Sequence, residues 1–158
     1  MHTTMPQKNE LSADILINFS SWEKHPGLKE LIKIAIKQTV SNVDTKGYNE
    51  ISILLTSDTQ IQQLNRQYRS INQPTNVLSF PSEKPHLGDI ILSYEYIQKE
   101  LINLNKKFEE HISHLIIHGT LHLYGFDHEN DKNAVTMENM ERHIMSELGY
   151  NDPYEIIQ

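Results

Sequence analysis

The alternation of apolar and polar residues predicts about four short strands and five helices. Apolar positions at helical spacing favour helices over 28–40, from about 58 to 68, over 95–108, over 109–125 and over 134–149. β-Branched and apolar runs favour strands over 15–19, 50–56, 75–80 and 88–93. The pattern therefore predicts an α+β fold, a single domain in which a mixed sheet of about four strands packs with about five helices.

The chain length agrees with one domain. At 158 residues the chain is long enough for one substantial core. Residues 1–14 carry no clear apolar periodicity and are predicted to be a flexible N-terminal extension, which leaves residues 15–158 as the folded domain. The helix over 109–125 is apolar nearly all round, so it is predicted to be buried.

Composition narrows the class of protein. Hydrophobic residues make up 37% and charged residues 22%, values typical of a globular protein in water, and no apolar run approaches the ~20 residues of a membrane span. The first residues lack the basic start and apolar middle of a secretory signal. The chain has no cysteine, which excludes disulfides and thiolate metal sites. We therefore expect a cytoplasmic protein without a membrane partner.

The net charge of −7 argues against indiscriminate binding to nucleic acid. The charge is uneven, however, because Lys and Arg concentrate in residues 20–70 and Asp and Glu in residues 108–158. A local basic face on an acidic chain can still meet a polyanion. An ordinary solvated surface explains the same distribution, and charge alone favours that interpretation.

The segment HGTLHLYGFDH (118–128) carries the candidate chemistry. His118 and His122 are one helical turn apart and project from the same face, and His128 follows a turn at Gly125. This is the H-x-x-x-H-x-x-G-x-x-H spacing of a zinc site with three protein ligands, which leaves one position open for catalysis. Core histidines with satisfied hydrogen bonds are the alternative, but they do not explain three at this spacing.

Neighbouring residues extend the candidate site. His111 and His114 lie on or near the same stripe of the helix, either as hydrogen-bond partners that orient a ligand or as packing residues. Asp127 is interpreted as a supporting or turn residue. Position 119 is glycine, where zinc proteases with this spacing carry the glutamate that acts as general base. Peptide hydrolysis needs such a base, so the protease interpretation loses its central residue.

The same segment closely resembles the H-G-x-L-H-L-x-G-x-D-H signature of the YbeY family of bacterial rRNA maturation endoribonucleases. The likeness continues through LNRQYRSINQPTNVLSFP (64–81), LGDI (87–90) and MENMERHIMSELGYNDPY (137–154). Together these motifs extend the resemblance over nearly the whole chain from about residue 15.

The resemblance implies a zinc-dependent endoribonuclease with one ion per chain, specific for single-stranded RNA and active in 16S rRNA 3′-end maturation and ribosome quality control. It implies His118, His122 and His128 as the metal ligands and Arg69 as a catalytic residue. The implied partners are RNA, as 16S rRNA precursor or ribosome, and ribosome-associated proteins. Asn72 stands where the family often has Asp, which weakens any role for a carboxylate beside Arg69.

Phosphodiester cleavage tolerates the missing glutamate better than peptide cleavage does. The charge that develops on phosphoryl oxygens can be stabilised by a metal ion and by the planar fork of an arginine such as Arg69. Without the resemblance, a surface cation or a structural salt bridge is the better explanation of Arg69. Two other functions stay open: a zinc hydrolase of a small molecule or peptide, and an RNA- or ribosome-binding assembly factor whose metal is structural.

Overall fold

The computed structural model describes residues 10–155, which form four strands, five α-helices and one short 3₁₀ helix. The prediction of an α+β fold with a mixed four-stranded sheet is confirmed. In chain order the elements are β1 (Ser12–Ile17), the 3₁₀ helix (Ser20–Lys24), α1 (Leu28–Val40), β2 (Glu50–Thr56), α2 (Asp58–Arg69), β3 (Val77–Pro81), β4 (His86–Ser93), α3 (Tyr94–Asn103), α4 (Phe108–Leu123) and α5 (Asp131–Glu147).

The sheet has the strand order β1-β2-β4-β3. β1, β2 and β4 run parallel, and β3 is an edge strand that pairs antiparallel with β4. The first strand begins at Ser12, three residues before the predicted start at 15, so 12–14 belong to the sheet. Glu10 and Leu11 belong to no strand or helix, and residues 1–9 of the predicted extension lie outside the described residues.

One face of the sheet is covered by α1 and α4 and holds the main core. Alternate residues of β2 point into it, among them Ile51, Ile53 and Leu55, which are almost completely buried. α4 is buried on most of its surface, as its continuous apolar pattern predicts. The opposite face carries α2, where Ile61 packs with Leu78 and Ile91 in a smaller cluster. The edge strand β3 therefore lies between α4 on one side and α2 on the other.

Local signals account for most helix ends. The side chain of Ser57 accepts a hydrogen bond from the backbone N–H of Gln60 and caps α2, as predicted. Asn130 caps α5 in the same way, so this helix begins at Asp131, before the predicted 134. The predicted helix over 95–108 ends earlier, at Asn103, because the backbone turns at Asn105 with a φ of 51° before α4 begins. Among residues 10–155, no helix combines the length and apolar character that crossing a membrane would require.

Candidate metal centre

The C-terminal end of α4 brings the three candidate histidines together. His118 and His122 lie one turn apart on α4, which ends at Leu123. Gly125 then adopts a φ of 99°, and the backbone N–H of Phe126 bonds to the carbonyl of Leu121, which reverses the chain toward His128. The ring centroids are 6.0 Å apart for His118 and His122, 5.5 Å for His118 and His128, and 5.6 Å for His122 and His128.

In two of these rings, His118 and His122, the same nitrogen, Nδ1, donates a hydrogen bond to the protein. The Nδ1 of His118 donates to the Oε1 of Glu141 at 2.8 Å, and the Nδ1 of His122 donates to the backbone carbonyl of Phe126 at 2.9 Å. Because each Nδ1 carries the proton, the Nε2 of each ring keeps its lone pair for a metal ion. His122 and His128 are exposed, so the cluster opens to solvent and to a large substrate.

The three imidazoles fit a zinc ion in number and in donor chemistry. Neutral imidazole is a preferred zinc ligand, and three such ligands make an open site. With zinc–nitrogen distances of ~2.0–2.1 Å, the centroids of two rings in a tetrahedral site lie about 5.2 Å apart. The observed separations are somewhat wider, and no group of three or more His, Cys, Asp or Glu side chains within residues 10–155 is already set to hold an ion. Rotation of the exposed His122 and His128 side chains would bring the three rings to the separations that a zinc site requires.

The buried carboxylate of Glu141 contacts the histidine cluster through His118. The side chain of Glu141 on α5 is 1% exposed and accepts hydrogen bonds from His118, from the Nε2 of His114 at 3.0 Å and from the hydroxyl of Tyr154. Burial opposes ionisation of Glu141, but the hydrogen bonds from His114 and His118 outweigh it and hold its pKa at about 2. Glu141 is therefore ionised at neutral pH.

Sequence reasoning missed Glu141, although a signal was present. Met137, Glu141, Ile144 and Met145 share one face of α5, and all four are buried. A carboxylate inside an apolar helical stripe needs partners, because an unpaired buried charge is costly. The pattern alone does not say which residues supply them.

The two neighbouring histidines of α4 have different surroundings. His114 contacts Glu141, and burial lowers its pKa more than the hydrogen bond and charge of Glu141 raise it. The Nε2 of His111 instead lies 3.0 Å from Glu100 on α3. His114 thus adjoins the candidate centre, while His111 packs elsewhere. Asp127 is a turn residue that accepts from the backbone of Glu129 and from the side chain of Asn133.

Arg69 lies apart from the histidines. It is the last residue of α2, on the other side of β3 from α4. Its side chain is exposed and, within residues 10–155, has no hydrogen bond or ion pair. Asn72, at the position that departs from the family pattern, accepts from the side chain of Gln62 at 3.1 Å rather than contacting Arg69. The role of Arg69 in catalysis stays a prediction.

Two separate surface pockets border β3, and both include Pro81 in their linings. Ser79, Pro81 and His122 line the pocket beside the histidines. Pro81 also lines the pocket on the α2 side, together with Phe80 and the exposed Tyr68; the centroids of these two rings are 5.3 Å apart. Pro81 on the edge strand therefore borders both the pocket beside His122 and the pocket beside Tyr68.

Comparisons with known proteins give the same family as the motifs. Residues 16–149 match the family model described as Endoribonuclease YbeY. The chain is 41% identical to the Endoribonuclease YbeY of Nitrobacter hamburgensis over 90% of this chain and 82% of that protein, and 40% identical to that of a Bradyrhizobium species over 95% and 96%. The solution structure of TM1509 from Thermotoga maritima superposes with a TM-score of 0.54 at 25% identity, covering 92% of this chain and all of that one. The chain therefore belongs to the endoribonuclease YbeY family.

Proposed function

We propose that this chain is a zinc-dependent endoribonuclease that cleaves single-stranded RNA, with one zinc ion per chain bound by His118, His122 and His128. The observation that carries the proposal is the convergence of three imidazole rings at the exposed end of α4, in a member of an endoribonuclease family. The physiological substrate we propose is the 3′ end of a 16S rRNA precursor, in the cytoplasm and in contact with the ribosome and its associated proteins.

The placement of side chains supports phosphodiester chemistry. A zinc ion at the histidines would supply Lewis acidity toward phosphoryl oxygens. His122 and His128 are exposed, so an RNA strand can approach the cluster from solvent. We propose that Arg69 binds a backbone phosphate, since its guanidinium is exposed and has no protein partner within residues 10–155.

The surface around the site favours an unpaired strand. The Tyr68 and Phe80 rings line the pocket on the α2 side of β3 and offer apolar faces to bases. Bases of single-stranded RNA can stack on exposed aromatic rings, whereas duplex bases are already stacked on one another. A peptide or small-molecule hydrolase is less well supported, because Gly119 supplies no general base.

Cleavage assays on the metal-loaded protein test the proposal. We expect cutting of an unstructured RNA, slower cutting of a duplex, and loss of cutting in His122→Ala. His143→Ala is the matched control, because His143 is exposed on α5 and its side chain pairs, within residues 10–155, only with Glu147. Equal activity in His122→Ala and the wild type would contradict the proposed site. Near-stoichiometric zinc in a folded triple-alanine variant of the three ligands would contradict it independently.

A further inference from the structure

We propose that Glu141 is a positioning residue for the metal centre, whose carboxylate holds the His118 ring in the orientation and tautomer that direct Nε2 toward the ion. The inference rests on the zinc site proposed above and assigns a role to a residue outside the ligand motif. Glu141 lies on α5, 23 positions after His118 in the chain.

The contact between Glu141 and His118 fits the carboxylate–histidine pairs that orient metal ligands. Metal-ligating histidines commonly donate their second ring N–H to a carboxylate or carbonyl, which sets the ring orientation and raises the basicity of the ligating nitrogen. His122 uses the backbone carbonyl of Phe126 for this purpose, within its own turn. His118 uses a charged group from a different helix, at 2.8 Å. A carboxylate polarises an imidazole more strongly than a neutral carbonyl does, because its full charge stabilises the N–H dipole.

Three side chains hold Glu141 itself in place. Its Oε1 accepts from His118 and also from the Nε2 of His114, both on α4. Its Oε2 accepts from the hydroxyl of Tyr154, which follows α5. Burial and the neighbouring carboxylate raise the pKa of Tyr154, so the phenol keeps its proton to donate. The carboxylate therefore has little freedom to rotate away from His118.

A purely structural role explains these contacts less well. Replacing buried ionic groups by apolar residues of similar size is often neutral or stabilising, so a buried charge is weak evidence of a contribution to stability. The other buried residues of this stripe, Met137, Ile144 and Met145, are apolar and pack in the core. Only the position that reaches His118 carries a charge, which is the arrangement expected if its purpose is to orient that ring.

Zinc affinity and tautomer state of Glu141→Gln test the proposal. We expect competition with a chelating dye to show zinc binding weakened roughly 10–100-fold, the usual loss when such a partner is removed. In the metal-free protein, two-bond proton–nitrogen correlation spectra should show His118 mainly protonated at Nδ1 in the wild type. The Glu141→Gln protein should show a larger fraction protonated at Nε2, because the amide N–H₂ can donate to Nδ1.

Two further variants separate orientation from folding. Glu109→Gln removes an exposed carboxylate from the start of α4 and should leave zinc affinity and the His118 tautomer unchanged. Tyr154→Phe removes only the hydrogen bond to Oε2 and should weaken zinc binding less than Glu141→Gln does. Both readouts are made on proteins shown by circular dichroism to be folded.

The outcomes distinguish this inference from the proposed function. Wild-type zinc affinity and an unchanged His118 tautomer in Glu141→Gln would overturn the positioning role while leaving the zinc site intact. A lower melting temperature as the only effect of Glu141→Gln would also overturn the positioning role. A wild-type protein that binds no zinc would overturn the metal site and the positioning role with it.

Discussion

Gly119 lies directly against Ile90 of β4: a Cβ placed on Gly119 would come within 3.0 Å of the Cδ1 of Ile90 and 3.1 Å of the Oγ of Ser79. Position 119 therefore faces the sheet, not the open end of α4 where His122 is exposed. The glutamate that zinc proteases carry after their first histidine has no space here. Glycine at this position is explained by close packing of the ligand helix on β3 and β4.

Restoring the protease glutamate should therefore damage the fold. We expect Gly119→Glu to lower the free energy of unfolding by more than about 3 kcal/mol, because it overpacks the helix–sheet contact and buries a carboxylate. Gly119→Ala is the control. Alanine has a better helix propensity than glycine, which offsets the tight contact of its Cβ with Ile90. The free energy of unfolding should therefore change by no more than about 1 kcal/mol. Urea unfolding measures both, and a Gly119→Glu protein of wild-type stability would contradict the packing argument.

Arg69→Ala should separate activity from stability. Because the side chain is exposed and unpaired within residues 10–155, the melting temperature should not change. RNA cleavage should fall by roughly 100- to 1000-fold if the guanidinium stabilises charge that develops on the phosphate. Arg69→Lys should recover part of the loss, since an ammonium lacks the bidentate fork.

An exposed cation on α1 provides the control for Arg69. Lys33→Ala removes a positive charge of similar exposure from the other side of the sheet and should leave cleavage unchanged. If Lys33→Ala and Arg69→Ala reduced cleavage equally, the reduction would be explained by the loss of any positive charge and not by a specific role of Arg69. Full activity in Arg69→Ala would contradict the phosphate-binding role.

The attacking group can be identified with a modified substrate. A site with three protein ligands is of the catalytic kind, in which the metal activates water. We therefore expect an RNA with a single 2′-deoxy nucleotide at the scissile position to be cut at a rate similar to that of the unmodified strand. Gel analysis of the products measures this. A complete block would instead assign the attack to the 2′-hydroxyl of the substrate.

His25 should make stability depend on pH below neutrality. Its ring stacks on Phe108 with centroids 3.8 Å apart, and its Nε2 lies 3.0 Å from the hydroxyl of Tyr94. Burial, and secondarily the charge of Lys24, lowers its pKa from 6.5. The His25 ring therefore binds a proton more readily in the unfolded chain than in the folded one. The folded state has its full stability above pH 6.5 and loses stability as the pH falls below that value.

Unfolding by urea at neutral pH and at about one unit below the ordinary histidine pKa tests this effect. The wild type should lose more stability on acidification than His25→Gln does. The difference between the two proteins isolates His25 from the other histidines. An equal loss in both would contradict the assignment.

Local patterns determined much of the fold and the position of the metal centre. α1 and β2 have the predicted bounds, because a 13-residue amphipathic helix and a β-branched strand are encoded by neighbouring residues. The spacing of His118, His122 and Gly125 likewise sets one face of one helix and the turn that follows it, so the ring convergence with His128 could be anticipated. These features depend on contacts between residues that are close neighbours in the chain.

Long-range packing decided the surroundings of that centre. The periodicity of α5 marks Glu141 as buried, but its contact with His118 exists only because α5 docks on α4. Asp89, within the LGDI motif, alternates with Ile90 along β4 and so lies on the face opposite α4. Which face α4 covers follows from the strand order β1-β2-β4-β3 and from the side on which each helix crosses the sheet. The docking of α5 on α4 and the choice of the covered face both depend on contacts between segments that are distant in the chain. The free energy of those contacts is set by the whole core and not by any local pattern.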